Sequence, residues 1–169
     1  LESNSLKGSL PTQTGYLKAM KSTFDMSLNS FVGTLPTEIG HLTKMEHYFF
    51  ISTNSIVGAI PTQMGRLSMV DTDLILNSNS ISGTIPTEIG SMSLLAGINF
   101  NTNFISGTTP TQFGLMTGIM HYVYLSDNRI NGSIPTQIGR MTSLTENFNL
   151  DDNSLGGKFP SQIGCMTSF

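Results

Sequence analysis

Apolar and polar residues repeat along this chain with one long period, 24 or 25 residues, rather than the short period of a single helix or strand. The chain's seven prolines mark the period at spacings of 25, 25, 25, 24, 25 and 25 residues. They are Pro11, Pro36, Pro61, Pro86, Pro110, Pro135 and Pro160. Every unit also has an Asn seven residues before its proline, a Gly three before it and a Gly four after it. The chain is therefore predicted to contain seven copies of one structural unit.

Apolar residues fill fixed positions within each unit. Those ten and twelve residues before the proline predict a short strand whose alternate side chains point inward. Further apolar positions lie five and one before the proline and three, six and nine after it, which gives L-x-L-x-x-N-x-L-x-G-x-I-P-T-x-I-G-x-L-x-x-L. One such unit cannot fold alone, because it gains its core only by stacking on its neighbours. We therefore expect a solenoid.

This pattern resembles the plant-specific class of leucine-rich repeats, found in receptor-kinase ectodomains, polygalacturonase-inhibitor proteins and similar algal proteins. The signature N-x-L-x-G-x-I-P is highly specific, and the resemblance covers the whole chain. It implies an α/β solenoid: a right-handed superhelix of about seven repeats, with a parallel sheet on the concave face and a second short strand near the Gly-x-Ile-Pro segment.

The repeat length departs from that class. Its usual repeat has 24 residues, and only the unit from Pro86 to Pro110 keeps that length. The other units carry one extra residue just before the strand, for example between Val70 and Leu74. We interpret it as a bulge, which leaves open by one position which way the first strand residues face.

The asparagine position is predicted to be structural. A carboxamide both donates and accepts hydrogen bonds, so a stacked Asn can satisfy backbone groups in its own turn and in the next repeat. The glycines are expected at positive φ or at close approaches between coils, and proline at the start of the convex segment. The predicted ladder comprises Asn4, Asn29, Asn54, Asn79, Asn103, Asn128 and Asn153.

Function is expected at strand positions that face solvent, where polar residues are the ordinary choice. Aromatic residues there are candidates for a partner site, since exposed aromatic clusters often mark one. The alternative is that the extra residue turns them into the core, or that they only shield their neighbours. The candidate partner-binding residues on the concave face are Tyr48, Phe50, Asp73, Ile75, Tyr122, Tyr124, Asn147 and Asn149.

Nothing in the sequence points to catalysis. No Ser–His–Asp or Cys–His set, paired carboxylate site or phosphate loop is present. His47 and His121 share one position three repeats apart, about 14 Å at the spacing of stacked strands, too far to share a metal ion. Cys165 has no partner cysteine and is interpreted as a packed or idle thiol. We expect no enzyme activity, no metal and no cofactor.

Composition narrows the partners and the compartment. A net charge of −3 and a pI near 5.5 argue against nucleic acid, and no apolar run approaches the roughly 18 residues of a membrane span. Few Lys and many Ser, Thr and Asn favour an extracellular, cell-surface or organelle-lumen location over the cytoplasm. Asn131-Gly132-Ser133 fits a glycosylation acceptor, although one such tripeptide also arises by chance.

The ends carry no cysteine-bearing caps of the family. The chain is expected to begin in a strand at Leu1 and it stops at apolar Phe169, although solenoids need polar caps. We expect residues 1–169 to form one solenoid that belongs to a longer polypeptide or to a large assembly.

Three functions are considered. The first is a protein-recognition module that binds a protein or peptide across the concave sheet. The second is an architectural subunit of a larger complex, membrane-bound or photosynthetic, docked through its ends or convex side. The third is ice or glycan binding by two hydroxyl columns: Thr12, Thr37, Thr62, Thr87, Thr111, Thr136 and Ser161, and Ser9, Thr34, Thr84, Thr108 and Ser133, the latter interrupted by Ala59 and Lys158.

Overall fold

The computed structural model describes residues 1–166, so Phe169 lies outside the described residues. Each complete repeat contains a strand, a second strand and a five-residue 3₁₀ helix. All strands pair in parallel with the equivalent strand of the next repeat. The predicted solenoid of about seven stacked repeats is confirmed, and its helical elements among residues 1–166 are 3₁₀ turns.

The first strands of the repeats form a six-stranded sheet in the order β12-β10-β8-β6-β4-β2. Their bounds are β2 Phe24–Asp25, β4 Phe49–Phe50, β6 Asp73–Ile75, β8 Gly97–Asn99, β10 Tyr122–Tyr124 and β12 Asn147–Asn149. This sheet occupies the positions predicted from the apolar pair before each Asn.

The second strands form a seven-stranded sheet in the order β1-β3-β5-β7-β9-β11-β13. Their bounds are β1 Lys7–Ser9, β3 Ser30–Thr34, β5 Ser55–Gly58, β7 Ser80–Gly83, β9 Phe104–Thr108, β11 Arg129–Gly132 and β13 Ser154–Leu155. The second strand expected near the Gly-x-Ile-Pro segment is therefore present.

Each proline precedes a 3₁₀ helix and has φ between −64° and −73°. Its carbonyl accepts the amide three residues on, for example from Ile39 to Pro36 at 3.1 Å. Proline suits this position because the ring fixes φ and the turn makes no use of an amide there. The helices are Thr12–Tyr16, Thr37–His41, Thr62–Arg66, Thr87–Ser91, Thr111–Leu115, Thr136–Arg140 and Ser161–Cys165.

The core lies between the two sheets and the 3₁₀ helices. In the inner repeats the apolar positions ten and twelve before the proline are fully buried, as Phe49, Ile51 and Leu74 show at 0% exposure. Phe24 and Phe49 stack between repeats, with ring centroids 5.0 Å apart and planes within 10°. The inward facing predicted for these positions is confirmed.

The asparagine ladder is present, but it reaches the preceding repeat rather than the next one. Asn79 Nδ2 donates to Leu76 O in its own turn at 3.2 Å and to Ile51 O of the preceding repeat at 3.0 Å. Its Oδ1 accepts the amide of Ile56, also in the preceding repeat, at 3.0 Å. The direction follows from the turn, which aims the carboxamide back along the stack. Asn29, Asn54, Asn103, Asn128 and Asn153 make the same pattern.

Two glycine positions have the two roles expected. The glycine before the proline has positive φ in every repeat, from 73° to 91°. The glycine after the proline lies against the backbone of the next coil, where a Cβ on Gly40 would come within 2.6 Å of Gln63 O. Both positions exclude larger residues for different reasons, one conformational and one steric.

The residue before each ladder Asn adopts the left-handed conformation, which the sequence did not signal. Its φ lies between 50° and 56° in all seven repeats. Thr53 and Thr102 occupy this position although β-branched side chains disfavour it. The turn that aims the Asn inward imposes this conformation.

The shorter repeat is accommodated where its strand begins. Thr72 O accepts the amides of both Ala96 and Gly97, each within 3.0 Å, and Ala96 O accepts the amides of both Met120 and His121 at 3.0 Å. One carbonyl thus opposes two amides, as in a bulge. Among residues 1–166, repeats of equal length stay in register and the bulge lies beside the 24-residue unit. The interpretation of the extra residue in the longer repeats as a bulge was therefore wrong.

Candidate binding face

The outer face of the six-stranded sheet carries two parallel rows of side chains. From the second repeat on, the side chain twelve positions before the proline points into the core. Those thirteen and eleven positions before the proline therefore point outward, because side chains alternate along a strand. Strand pairing places Asp73, Gly97, Tyr122 and Asn147 in one row, and Phe50, Ile75, Asn99, Tyr124 and Asn149 in the other. Tyr48 precedes β4 beside the first row. The eight residues predicted from the sequence therefore lie on one face.

The aromatic residues form two pairs, one on either side of the middle strands. Tyr48 and Phe50 have ring centroids 5.0 Å apart with planes tilted by 51°. Tyr122 and Tyr124 stack at 4.8 Å with planes within 9°. Tyr48 is 37% exposed and the other three rings are half-buried. The extra residue of the longer repeats does not turn them into the core, so the facing left open by the sequence is resolved.

Gly97 leaves a gap between these pairs, and the Tyr122 ring covers it. A Cβ on Gly97 would lie 2.5 Å from Asp73 Oδ1 and 2.9 Å from Tyr122 Cε2 and Cζ. The absence of a side chain at 97 therefore lets the tip of the Tyr122 ring approach the Asp73 carboxylate. We call Asp73, Gly97 and Tyr122 the carboxylate gap. Sequence reasoning missed Gly97, although it is the one glycine in the two outward rows of β2 to β12.

The Asp73 carboxylate in this gap is poorly solvated. Its Oδ1 atom is buried and has no hydrogen-bond partner among residues 1–166. Burial raises the pKa of Asp73. This effect outweighs a hydrogen bond from the Tyr122 hydroxyl and the charge of His121, which both lower the pKa, and Glu146 raises it further. Burial, followed by the Asp73 charge, also raises the pKa of Tyr122, so its hydroxyl keeps its proton. Among residues 1–166 the carboxylate thus has the neutral Tyr122 hydroxyl as a donor, while its Oδ1 atom accepts no hydrogen bond.

The remaining predicted residues frame this centre. Ile75 lies between Phe50 and Asn99 in the second row and is half-buried. Asn147 and Asn149 lie on β12 beside the tyrosine pair. Asn149 Oδ1 accepts the amide of Asp151 at 2.8 Å, so it also shapes its own turn.

Charge on this face is acidic. The positions 13, 11 and 9 before the prolines, from the second repeat on, include Asp25, Asp73 and Asp151 but no Lys or Arg. Lys21 lies before β2 and is 3.9 Å from Glu46. A partner with basic groups is therefore favoured over an acidic one.

The two histidines contact different neighbours. His47 Nδ1 lies 3.2 Å from Asp71 Oδ1. A hydrogen bond from the Thr72 hydroxyl lowers the pKa of Asp71 most, and a hydrogen bond with His47 lowers it further. His121 lies beside Tyr122 with ring centroids 6.4 Å apart. Within residues 1–166 no group of three or more His, Cys, Asp or Glu is placed to hold a metal ion.

Other residues singled out from the sequence lie away from this face. Cys165 is exposed at the end of the last 3₁₀ helix, so of the two interpretations it is not a packed thiol. Asn131 is exposed on β11, where a glycan would project from the seven-stranded sheet. No helix within residues 1–166 has the length and apolar character to cross a membrane.

The hydroxyl columns have structural roles. Each hydroxyl that follows a proline contacts the side-chain oxygen of the next residue, for example Thr87 Oγ1 to Glu88 Oε2 at 3.2 Å. In the other column a methyl group packs on the glycine of the next coil, since a Cβ on Gly107 would lie 2.7 Å from Thr84 Cγ2. These contacts account for the hydroxyl in the first column and for a small side chain in the second.

Comparison with known proteins supports the repeat class. The family profile described as Leucine Rich Repeat matches residues 72–92 and 120–141. Together with the stacked parallel strands and the asparagine ladder, this makes the chain a leucine-rich-repeat protein. Its repeats are of the plant type, with the second strand and the N-x-L-x-G-x-I-P signature. None of the curated proteins matches it by sequence.

Solved structures of plant receptors are similar to most of the chain. One is the leucine-rich-repeat ectodomain of the membrane receptor kinase GASSHO1/SCHENGEN3 from Arabidopsis thaliana, in complex with CASPARIAN STRIP INTEGRITY FACTOR 2. It is 32% identical with a TM-score of 0.91, over 97% of this chain and 19% of the receptor chain. Another is the Arabidopsis receptor kinase HAESA in complex with the peptide hormone IDA and the co-receptor SERK1. It is 25% identical with a TM-score of 0.91, over 98% of this chain and 27% of that one.

The similarity covers only part of the receptor chains. The chain spans about a fifth to a quarter of these two receptor chains. A plant ice-binding protein shares the fold at 23% identity and a TM-score of 0.63, over 95% of this chain and 66% of that one. At that identity the match speaks for the fold alone.

Proposed function

We propose that this protein is a non-catalytic recognition module that binds a protein or peptide across the outer, concave face of its six-stranded sheet. The observation that carries the proposal is the pair of aromatic clusters on that face, Tyr48 with Phe50 and Tyr122 with Tyr124. Large rings that are ordered and partly exposed on a sheet bury much apolar area when a partner covers them.

Two further facts support this choice. The similar receptor ectodomains were solved with a peptide hormone or with CASPARIAN STRIP INTEGRITY FACTOR 2 bound. The rings also contribute little to the core, because the residues between them on each strand fill it. We further propose that the protein works outside the cell or in an organelle lumen, since those relatives are ectodomains.

The test is a variant with four changes, Tyr48→Ser, Phe50→Ser, Tyr122→Ser and Tyr124→Ser. Binders are first selected from a random nonapeptide library on the full chain, and their affinities are measured by fluorescence anisotropy. Each aromatic contact at the centre of an interface contributes about 2 kcal/mol or more, so the variant is expected to weaken binding by at least about 100-fold. Circular dichroism checks that the repeats remain folded.

A matched control removes four exposed apolar side chains from the 3₁₀ side of the solenoid. The changes are Tyr16→Ser, Met69→Ser, Leu94→Ser and Leu115→Ser, at residues 45% to 77% exposed. This control is expected to bind like the parent protein. If the control loses binding and the aromatic variant keeps it, the partner docks on the 3₁₀ side and the architectural alternative replaces this proposal.

A further inference from the structure

We propose that the carboxylate gap formed by Asp73, Gly97 and Tyr122 binds a basic side chain, an ammonium or guanidinium group, of an extended peptide. This rests on the proposed function and specifies the partner's chemistry at the centre of the face. The gap lies between the two aromatic pairs. It is therefore a polar centre with an apolar anchor on either side, which is how specific peptide sites are commonly built.

The first argument is the unmet acceptor. Asp73 Oδ1 is buried without a hydrogen-bond partner among residues 1–166, while the Tyr122 ring covers it across Gly97. A buried acceptor oxygen without a donor lowers the stability of the fold. A cation from the partner supplies several donors and a compensating charge, and the Tyr122 ring adds a cation–π contact beside it.

The second argument is the state of the free protein. Burial raises the pKa of Asp73, so the ionised carboxylate is disfavoured in the free fold. The charged and polar groups that face it are the Tyr122 hydroxyl, His121 and Glu146, and none is a resident Lys or Arg. An acidic group kept at a cost to stability is a common sign of a functional site.

The third argument is spacing. Neighbouring strands are about 4.8 Å apart, so the two aromatic pairs, three strands apart, are about 14 Å from one another. An extended peptide laid across the strands presents alternate side chains about 7 Å apart. Side chains that contact the two aromatic pairs are then four residues apart, and the one midway falls between β6 and β8. That midpoint is the gap between Asp73 and Gly97.

The experiment uses the nonapeptides selected on the full chain. We expect enrichment of an Arg or Lys with apolar residues two positions to either side. Replacing that Arg with citrulline, which removes the charge but keeps the shape, is expected to weaken binding at least about tenfold, since the charge-assisted bonds are lost. Asp73→Asn should cause a similar loss, and in that variant citrulline should cost nothing more. Such coupling identifies the two groups as partners.

Two further variants sharpen the test. In Gly97→Ala the added Cβ displaces the Asp73 carboxylate and the Tyr122 ring. This variant should therefore also bind the Arg-containing peptide about tenfold more weakly. Asp151→Asn removes the same charge from an exposed position of the same face, and should change affinity less than about twofold, as exposed charges do. If Asp73 were only structural, Asp73→Asn would lower the melting temperature, whereas we expect it to rise.

The outcomes separate the two proposals. Peptides that fail on the four-serine aromatic variant but bind Asp73→Asn within twofold of the parent overturn the basic-side-chain site and leave the recognition face in place. Equal losses for Asp73→Asn and Asp151→Asn also overturn the site, because they indicate only long-range charge. Both proposals are overturned if no peptide is enriched from the library, or if the enriched peptides bind the four-serine aromatic variant as tightly as the parent protein.

Discussion

Removing the carboxamide of Asn79 measures what the asparagine ladder contributes to stability. Asn79 is 9% exposed and makes hydrogen bonds to backbone groups of two repeats. In Asn79→Ala, the Ile56 amide loses its acceptor in a residue that is itself 0% exposed, whereas the Ile51 carbonyl keeps the hydrogen bond from Asn54 Nδ2. One buried group left unpaired costs about 1–3 kcal/mol, so we expect the variant to lose about that much stability. Such a loss is a large part of the total stability of a domain of this size.

The same change at the first ladder position provides the control. Asn4 is exposed and donates to the carbonyls of Leu1 and Glu2, also exposed. Water replaces the carboxamide there, so Asn4→Ala should cost less than about 1 kcal/mol. Asn79→Asp tests the chemistry further: it can accept from Ile56 but cannot donate to the carbonyls, so it should be no more stable than Asn79→Ala.

The assay is urea unfolding followed by circular dichroism and tyrosine fluorescence, with the m value compared between variants. Agreement between the two probes justifies one free energy of unfolding. If Asn79→Ala were as stable as Asn4→Ala, that result would refute the structural role assigned to the ladder.

Three other changes follow from the backbone and from the pKa of Asp73. Thr102 has φ of 54°, in the left-handed region, which Asn tolerates better than Thr. Thr102→Asn should therefore raise the free energy of unfolding by about 0.5–1 kcal/mol in urea titrations. A decrease would contradict the backbone strain assigned to Thr102. A Cβ on Gly90 would lie 2.6 Å from Gln112 O, so Gly90→Ala should cost about 1–3 kcal/mol, whereas Gly156→Ala, with open space around it, should not. The pKa of Asp73 is raised in the folded state, so folding favours the neutral carboxyl. The stability that this preference contributes is present at low pH and is lost as the pH rises through the folded-state pKa. Asp73→Asn should therefore melt higher than the parent at pH 7 and equally at pH values below the unfolded pKa of about 3.9, and a lower melting temperature at pH 7 would show that the charge stabilises the fold.

The sequence predicted the scaffold because every scaffold position is repeated. Seven aligned units identify the inward apolar residues, the asparagine ladder and the two glycine positions by identity alone. The chemistry of each residue then assigns its role: a carboxamide both donates and accepts, and glycine alone fits a crowded or left-handed backbone.

Other features depended on geometry that repetition does not encode. The left-handed position before each Asn holds Ser, Leu, Thr or Asp, so no single residue type marked it. The ladder's direction toward the preceding repeat required the conformation of the turn. The carboxylate gap arises at one place only, where Gly97 lets Tyr122 cover Asp73. A site that occurs once in a repeating chain leaves no periodic signal.

Hydrogen–deuterium exchange of the full chain, with and without a selected nonapeptide, tests most directly whether the six-stranded sheet is the recognition surface. Our account predicts slower exchange confined to β4, β6, β8 and β10 and the residues that flank them. Slower exchange confined to the seven-stranded sheet or to the 3₁₀ helices would place the partner elsewhere and contradict it.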